Sequence, residues 1–464
     1  MIKRIACLAG LAVAMSAGAA EPMAAGLIVK YRDARGVRAL ALSAPPVGDE
    51  VRARAASVKS LARRLGSSID YRGIIPSGAL AFASRRPMKL SVALALSRNV
   101  SQDAAVEYAE PDLLLKPLSV SSHARFAGQW ALHGSTMAGG ALNVADAWRI
   151  TRGGGVTVAV LDSGYRPHRD LARNVLPGHT FISDADNARN SVGREAGAVD
   201  PGTYRAEDEC DADSPASDSN WHGTQVAGII AANGAVAGVA PESRILPVRV
   251  LGRCGGKISD VVAALYWAAG LPVAGVPDNT SPARIVNLSL GAELPCMHSM
   301  RRAIADLFRR NVLVVAAAGN AARNARNSMP ASCPGVLSVA ASDRNGNIAY
   351  YSNYGAMVSM TAPGGDQSRG PDEGILVVSN DGRTVPGGDS YDHSQGTSMA
   401  APHVAGVAAL ALAANPALTA ADLRNLLIRT ARPAPGACPG CSAGIVDAAA
   451  VVGEAARRRS GTVR

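Results

Sequence analysis

Short apolar runs rich in β-branched residues alternate with helical stretches along the chain from residue 130 onward. Because these runs are apolar without interruption, they predict strands that are buried on both faces. Strands separated by helices pair in parallel, so the alternation predicts an α/β fold with a doubly wound, mostly parallel sheet and helices on both faces. The predicted strands cover residues 156–161, 244–251, 284–290, 311–317, 336–341 and 375–379, and the predicted helices cover 224–232, 260–269, 297–310, 399–414 and 420–431.

Four polar residues stand where these predicted strands end or these helices begin. Asp162 follows the apolar run 158–161, and Asn320 closes an Ala-Ala-Ala-Gly-Asn run. His222 lies in a Trp-His-Gly-Thr run before a predicted helix, and Ser398 lies in a Gly-Thr-Ser-Met-Ala run that opens another. Since active residues of parallel sheets gather at the carboxyl ends of the strands, we expect these residues to meet there. A serine hydroxyl needs a base within reach, which His222 can provide.

The order Asp162, His222, Ser398, each in its own run, resembles the subtilisin-like serine proteases (subtilases, peptidase family S8). The resemblance implies that these residues are a catalytic triad, with an oxyanion hole formed by the Asn320 side chain and the Ser398 backbone N–H. It further implies a serine endopeptidase that cleaves peptide bonds through an acyl-enzyme and needs no cofactor for this chemistry. The rival α/β-hydrolase plan places its serine first and needs a glycine where Ala400 stands.

The same resemblance implies that a polypeptide substrate binds as an extra strand along exposed backbone edges. No acidic residue is conspicuous in the expected walls around the P1 side chain, so strict selection of a basic P1 residue is not supported and specificity stays open. An inert subtilase fold used as a binding scaffold is the alternative class, although inert relatives usually lack one of the four site residues. The matching substrate-binding residues are Gly255, Gly256, Ser289, Leu290, Gly291, Ala317, Ala318 and Gly319.

The N-terminal region has the features of an export signal followed by a precursor segment. Lys3 and Arg4, an apolar run at 5–15 and small residues at 17–20 predict a signal peptide over 1–20, with a buried N-terminal helix as the alternative. Residues 21–118 show a β-α-β-β-α-β order, and they resemble the small α+β, ferredoxin-like prodomain of subtilases. An accessory domain is the alternative.

As a prodomain, residues 21–118 would act as folding template and intramolecular inhibitor, with residues 113–122 in the cleft and processing between 117 and 124. The chain is therefore expected to be an autoprocessed zymogen that is secreted, to the extracellular space or to the periplasm. Its catalytic domain would cover 119–452, and a basic C-terminal tail would cover 453–464.

The charge and hydropathy of the chain bear on other partners. The formal net charge is +10, but residues 1–118 carry 17 Lys/Arg against 9 Asp/Glu, whereas residues 119–464 carry 30 against 28. The basic excess thus lies mostly in a segment expected to be removed, which weakens a nucleic-acid-binding interpretation. After the signal, no apolar run reaches the roughly 18–20 residues of a membrane span, so we expect no stable membrane insertion. We expect a monomer.

Removal of the signal peptide with Cys7 leaves an even number of cysteines, which in an exported chain favours disulfides over a zinc site. A single Cys-x-x-Cys pair without a nearby histidine argues against zinc, which is the alternative. Similar six-cysteine arrangements in exported bacterial subtilases imply the pairs Cys210–Cys254, Cys296–Cys333 and Cys438–Cys441.

An acidic insertion at 184–218 carries ten Asp/Glu against three Arg. Oxygen-rich loops suit Ca²⁺, so this insertion is a candidate structural calcium site, with a solvated acidic loop as the alternative. Asp170 matches a calcium ligand of the family, but its partners are missing, so that site is in doubt. The candidate ligands in the insertion are Asp184, Asp186, Asp211 and Asp213.

Overall fold

The structure, a computed structural model, describes residues 23–32, 49–117, 120–121, 128–135, 138–190, 192–436 and 438–459. The predicted signal peptide and residues 460–464 of the predicted tail lie outside the described residues. So does most of the predicted processing region at 117–124.

The N-terminal domain is an antiparallel sheet of order β4-β1-β3-β2 against which two helices pack. This arrangement confirms the predicted ferredoxin-like fold. β4 is longer than the strand expected near 105–109, and it runs on toward the second domain. The elements are β1 (Met23–Tyr31), α1 (Asp49–Arg64), β2 (Ile69–Ile74), β3 (Leu80–Lys89), α2 (Leu90–Val100) and β4 (Val106–Pro117).

The second domain is built on an eight-stranded sheet of order β15-β14-β13-β11-β6-β9-β7-β8, in which every pair except β7–β8 is parallel. The predicted doubly wound α/β fold is confirmed. The strands of this region are β5 (Val120–Ser121), β6 (Thr157–Asp162), β7 (His179–Thr180), β8 (Glu195–Ala196), β9 (Arg244–Arg249), β10 (Gly256–Lys257), β11 (Ile285–Leu288), β12 (Leu290–Gly291), β13 (Leu313–Ala317), β14 (Leu337–Ser342), β15 (Met360–Pro363), β16 (Ile375–Asn380) and β17 (Asp389–Gln395). The helices are α3 (Val144–Trp148), α4 (Ala185–Ala188), α5 (His222–Ala231), α6 (Ile258–Ala268), α7 (His298–Arg309), α8 (Thr397–Ala414), α9 (Ala420–Arg429) and α10 (Ala448–Arg459).

The sheet separates two hydrophobic cores, because alternate residues of each strand point to opposite faces. Val158 and Val160 of β6 face a core with α5, α8, α9 and α10. Ala159 and Leu161 face the other core, which contains α6, α7 and apolar residues of the N-terminal domain. The N-terminal domain therefore packs on the α6–α7 side of the molecule.

One sequence prediction about these elements was wrong, and one region is more regular than its sequence indicated. The predicted strand at 375–379 exists as β16, but it pairs antiparallel with β17 outside the main sheet, and β15 takes the sheet edge instead. The predicted basic tail from residue 453 is helical up to Arg459, because it continues α10 and buries Ala455 in the core.

Helix α8 is 18 residues long and apolar enough to cross a membrane by length and composition, although 94% of it is buried inside the protein. It is a core helix of the second domain. The uninterrupted apolar run in this helix, 404–414, is shorter than a membrane span, because Pro402 and His403 precede that run within the helix.

Three disulfides join the six cysteines in the pairs that the resemblance implied: Cys210–Cys254, Cys296–Cys333 and Cys438–Cys441. The first ties the acidic insertion to the segment just before Gly255. The second ties the loop after β12 to the segment that precedes β14.

Candidate active site

Asp162 and His222 form a buried pair at the carboxyl end of the sheet. Asp162 is the last residue of β6 and His222 the first of α5, and both are fully buried. Asp162 Oδ1 accepts a hydrogen bond from His222 Nδ1 at 2.7 Å and another from the Ser163 N–H at 2.7 Å. With Nδ1 donating to Asp162, His222 presents the lone pair of Nε2 to the site.

Ser398 lies in the first turn of α8, where helical N–H groups lack partners within the helix. Its Oγ donates to the Ser289 carbonyl at 3.2 Å, and Ser289 Oγ donates to the Ser398 carbonyl at 2.8 Å. Within the described part of the chain, His222 Nε2 has no hydrogen-bond partner. The structure thus pairs Asp162 with His222, while the Ser398 hydroxyl donates to Ser289. In serine hydrolases without substrate, the hydrogen bond from the serine hydroxyl to the histidine is often long or absent, and it forms when substrate binds.

Asn320 lies in the turn after β13, next to the start of α8. Its Oδ1 accepts hydrogen bonds from the Thr397 N–H at 2.9 Å and from Thr397 Oγ1 at 2.8 Å. Thr397 Oγ1 in turn accepts from the Gly319 N–H at 3.1 Å. Since Oδ1 is held by Thr397, the amide is oriented with Nδ2 as its donor end beside the first turn of α8.

The two predicted substrate edges hold the end of the N-terminal domain. β4 lies antiparallel to both β10 and β12, with Leu115 opposite Gly256 and Pro117 opposite Leu290. Beyond it, Val120 of β5 pairs with Gln395 of β17, three residues before Ser398. The chain therefore pairs with the backbone next to Ser289, whose carbonyl accepts from Ser398 Oγ, and with the backbone shortly before Ser398.

Sequence reasoning missed two acidic residues of β4 that contact the second domain. Both Glu110 oxygens accept from the first N–H groups of α7, at His298 (2.8 Å) and Ser299 (2.9 Å). Asp112 accepts from the Ser259 N–H at 2.8 Å and from the Ser259 hydroxyl, in the first turn of α6. Burial raises the pKa of Glu110 to about 7 and that of Asp112 to about 6. Two acidic residues at alternate positions of one strand are the signal that could have found them.

Two of the four candidate calcium ligands in the acidic insertion have protein partners for their carboxylates. Asp184 caps α4 through the N–H groups of Asp186 and Asn187, and Asp186 pairs with Arg253. Asp213 donates its N–H to Asp208, and Asp211 donates its N–H to Ser214 Oγ at 3.4 Å. Asp170 accepts from the Val236 N–H and from the Tyr391 hydroxyl. Among the described residues, no group of three or more His, Cys, Asp or Glu is arranged to hold a metal ion. The Asp184 and Asp186 carboxylates are therefore engaged within the protein, and the described residues bring no set of calcium ligands together.

Similarities to known proteins place the chain in one family. The family model of the Peptidase S8, or subtilase, family matches residues 153–457. An extracellular protease of Xanthomonas campestris pv. campestris is 42% identical over 461 residues, which cover 96% of this chain and 77% of the relative. An extracellular basic protease of Dichelobacter nodosus is 40% identical over 367 residues, covering 76% of this chain and 59% of the relative.

Solved structures are similar as well. A protease from Pseudoalteromonas arctica has a TM-score of 0.69 and 46% identity, covering 72% of this chain and 100% of that one. Fervidolysin, a keratinolytic enzyme from Fervidobacterium pennivorans, has a TM-score of 0.63 and covers 95% of this chain and 62% of its own. At 22% identity, this second likeness concerns the fold alone.

Proposed function

Because this chain belongs to the subtilase family and is a subtilisin-like serine protease, we propose that it is a secreted endopeptidase with Ser398 as nucleophile, His222 as general base and Asp162 as the residue that orients His222. The observation that carries this proposal is the buried 2.7 Å bond between His222 Nδ1 and Asp162 Oδ1, at the sheet edge where α8 begins. The names of its relatives, which are called extracellular proteases, support secretion.

In the proposed reaction, the Ser398 side chain turns from the Ser289 carbonyl toward His222. Its Oγ attacks the carbonyl carbon of the scissile peptide bond, and the hydroxyl proton passes to His222 Nε2. Asp162 stabilises the resulting imidazolium. That proton then goes to the leaving amine as the C–N bond breaks, which leaves an acyl ester on Ser398. Water attacks the ester, with Nε2 taking one of its protons and returning it to Ser398.

The negative charge that develops on the carbonyl oxygen needs donors placed in advance. We assign this role to Asn320 Nδ2 and to the Ser398 N–H. Thr397 supports the assignment because it holds the opposite end of the Asn320 amide, at 2.8 and 2.9 Å. Losing such a side-chain donor lowers kcat by about 10²–10³.

We also propose that residues 21–118 are a prodomain, preceded by the signal peptide at 1–20, and that they inhibit the enzyme until they are cut off. The pairing of β4 with β10 and β12 supports this, since an extended substrate would add its strand at the same edges. The pairs Pro117–Leu290 and Val120–Gln395 bracket the segment to be cut. N-terminal sequencing of the mature enzyme should therefore give residue 118, 119 or 120 as the first.

The decisive experiment compares the secreted wild-type chain with Ser398→Ala. The wild type should cut an unstructured protein, and a serine-directed irreversible inhibitor should stop it. Ser398→Ala should show no turnover and should accumulate as uncut precursor. Ser243→Ala, which removes another buried serine hydroxyl, should mature normally. Maturation of Ser398→Ala in a host without other proteases would contradict self-processing. An inactive wild type with intact fold would instead favour an inert binding scaffold.

Two further parts of the proposal concern partners. The isolated prodomain added in trans should inhibit the mature enzyme, and the mature region expressed alone should refold poorly. A mature region that is indifferent to residues 21–118 would make them an accessory domain. We propose a monomer, and we propose neither a nucleic-acid partner nor a calcium site.

A further inference from the structure

Asn320 lies in a segment without regular structure, so tertiary hydrogen bonds must hold its backbone in place. Between the end of β13 and the short 3₁₀ turn at Ala325–Asn327, the chain forms bends and one isolated bridge, from Asn324 to Tyr354. Thr397 fixes the Asn320 side chain, as described above. The backbone on either side of Asn320 is held by a buried asparagine from another loop, Asn353.

Asn353 is 1% exposed and makes five hydrogen bonds around Asn320. Its Oδ1 accepts from the N–H groups of Ala321 at 3.0 Å and Arg323 at 3.1 Å, just after Asn320. Its Nδ2 donates to the Ala318 carbonyl at 3.0 Å and to Ser328 Oγ at 2.9 Å. Its own N–H donates to the Gly319 carbonyl at 2.8 Å. A single side chain thus joins the chain before Asn320 to the chain after it.

The chain around Asn320 is shaped to admit Asn353. Gly319 has a φ of +108°, and a Cβ added there would lie 2.3 Å from Asn353 Nδ2. Glycine is therefore needed at 319 both for its backbone conformation and for the space that Asn353 fills. The backbone next to Asn353 adds support, since Tyr354 donates its N–H to the Arg323 carbonyl at 3.0 Å.

We infer that Asn353 is a positioning residue for the oxyanion hole, acting through Asn320; the inference rests on the role proposed for Asn320. Without the Asn353 side chain, the N–H groups of Ala321 and Arg323 lose their acceptor and the Ala318 carbonyl loses its donor, so the segment that carries Asn320 is free to shift. A misplacement of about 1 Å can cost about 10²-fold in rate. The loss should appear in kcat, because the Asn320 donor acts on the charge that develops in the transition state.

The test is a double-mutant cycle between Asn353→Ala and Asn320→Ala in the full-length chain. Variants are matured with an affinity-tagged wild-type enzyme that is then removed, and Ser398→Ala is carried through as the blank. Active sites are titrated with a serine-directed inhibitor, and kcat is measured on a short peptide substrate. Asn353→Ala should lower kcat about 10–100-fold in the wild-type background, but less than about threefold in the Asn320→Ala background.

Asn174→Ala is the matched control, because Asn174 is also a buried asparagine whose Nδ2 donates to two carbonyls, those of Ala231 and Pro241. It should lower Tm and leave kcat per titrated site unchanged. If Asn353→Ala does not fold, Asn353→Asp keeps the acceptor and loses both side-chain donor bonds. Its smaller kcat loss should likewise vanish in the Asn320→Ala background.

Equal kcat losses in both backgrounds, or no loss at all, would overturn the positioning role of Asn353 and leave the proposed oxyanion hole standing. If Asn320→Ala alone leaves kcat unchanged, the assignment of Asn320 fails and the inference about Asn353 fails with it. These two results are distinguishable within the same cycle.

Discussion

A buried charge network lies behind Asp162. Ser163 Oγ donates to Asp200 at 2.8 Å and accepts from the Gly223 N–H at 3.1 Å, while Arg249 Nε donates to the Ser163 carbonyl at 3.0 Å. Burial raises the pKa of Asp200 and lowers the pKa of Arg249, and each residue's charge opposes the shift of the other. Charges this deep are costly unless they compensate each other. The residue after Asp162 is thus fixed from both sides.

Replacing Arg249 with leucine should destabilise the protein by about 3–5 kcal/mol, because Asp200 is left buried without its compensating charge. The measurement is chemical unfolding in the Ser398→Ala background, which avoids self-digestion. Adding Asp200→Asn should recover part of the loss, since it removes the uncompensated charge. Arg244→Leu, at the exposed start of the same strand, should have little effect. Equal stability of the single and double variants would show that the two charges do not interact.

At the same scale, the sequence predicted the triad candidates but not Asn353, Glu110 or Asp112. Asp162, His222 and Ser398 each end a strand or begin a helix within a distinctive run of residues. Their positions can therefore be recognised from the sequence around them. Asn353 lies in a loop, where asparagine is ordinary and no periodicity marks it. Its role depends on Ala318, Ala321 and Arg323, which only the folded chain brings to it.

Among the elements, the apolar runs predicted the central strands well, because strands that are buried on both faces must be apolar. β17 (Asp389–Gln395) was missed because it is polar and half-buried along most of its length. Its partner β16 was placed in the wrong sheet. The apolar composition of a strand does not indicate whether the strand that pairs with it runs parallel or antiparallel. The last turns of helix α10 were predicted as a tail because, from residue 453 onward, Ala455 is the one buried apolar position among charged residues.

Helices α6 and α7 lack N-terminal side-chain caps of their own. The residues at their N-caps, Lys257 and Met297, make no side-chain capping bond. The caps come instead from Asp112 and Glu110 of β4. Because the first N–H groups of a helix need acceptors, two helices of the second domain depend on the N-terminal domain.

Asp112→Ala should therefore destabilise the Ser398→Ala precursor by about 1–2 kcal/mol, the usual cost of losing a helix cap. Thermal unfolding at pH 5 measures the effect. Glu107→Ala, at an exposed position of the same strand, is the matched control and should leave Tm within about a degree, as surface substitutions usually do. Equal Tm values for Asp112→Ala and the parent would show that α6 does not need this cap.

On the scale of the whole molecule, the two domains share one hydrophobic core. Leu27 and Phe82 of the N-terminal domain belong to the same buried cluster as Ile258 of α6 and Leu307 of α7. Glu110 and Asp112 lie within this contact, so they are removed from water as the domains join. The pKa values of these two carboxyl groups are consequently raised when the two domains pack together.

Stability of the Ser398→Ala precursor should fall relative to Glu110→Gln as the pH rises. Burial raises the pKa of Glu110 from 4.5 to about 7, so the folded state binds this proton more tightly than the unfolded state. Its contribution is fully present below about pH 4.5 and is lost as the pH rises through about 7. At about 1.4 kcal/mol per pKa unit, this rise in the pKa changes the free energy of unfolding by at most about 3.5 kcal/mol. Tm values of both variants at pH 5, 6, 7 and 8 measure this change.

Other titratable groups near Glu110 do not affect the comparison. Asp112, with a pKa of about 6, and His298, stacked on Tyr108, are present in both chains, so their contributions to the Tm difference largely cancel. Glu107→Gln should track the parent at every pH. A Tm difference between the parent and Glu110→Gln that stays constant from pH 5 to pH 8 would show that Glu110 is already ionised in the joined domains at pH 5.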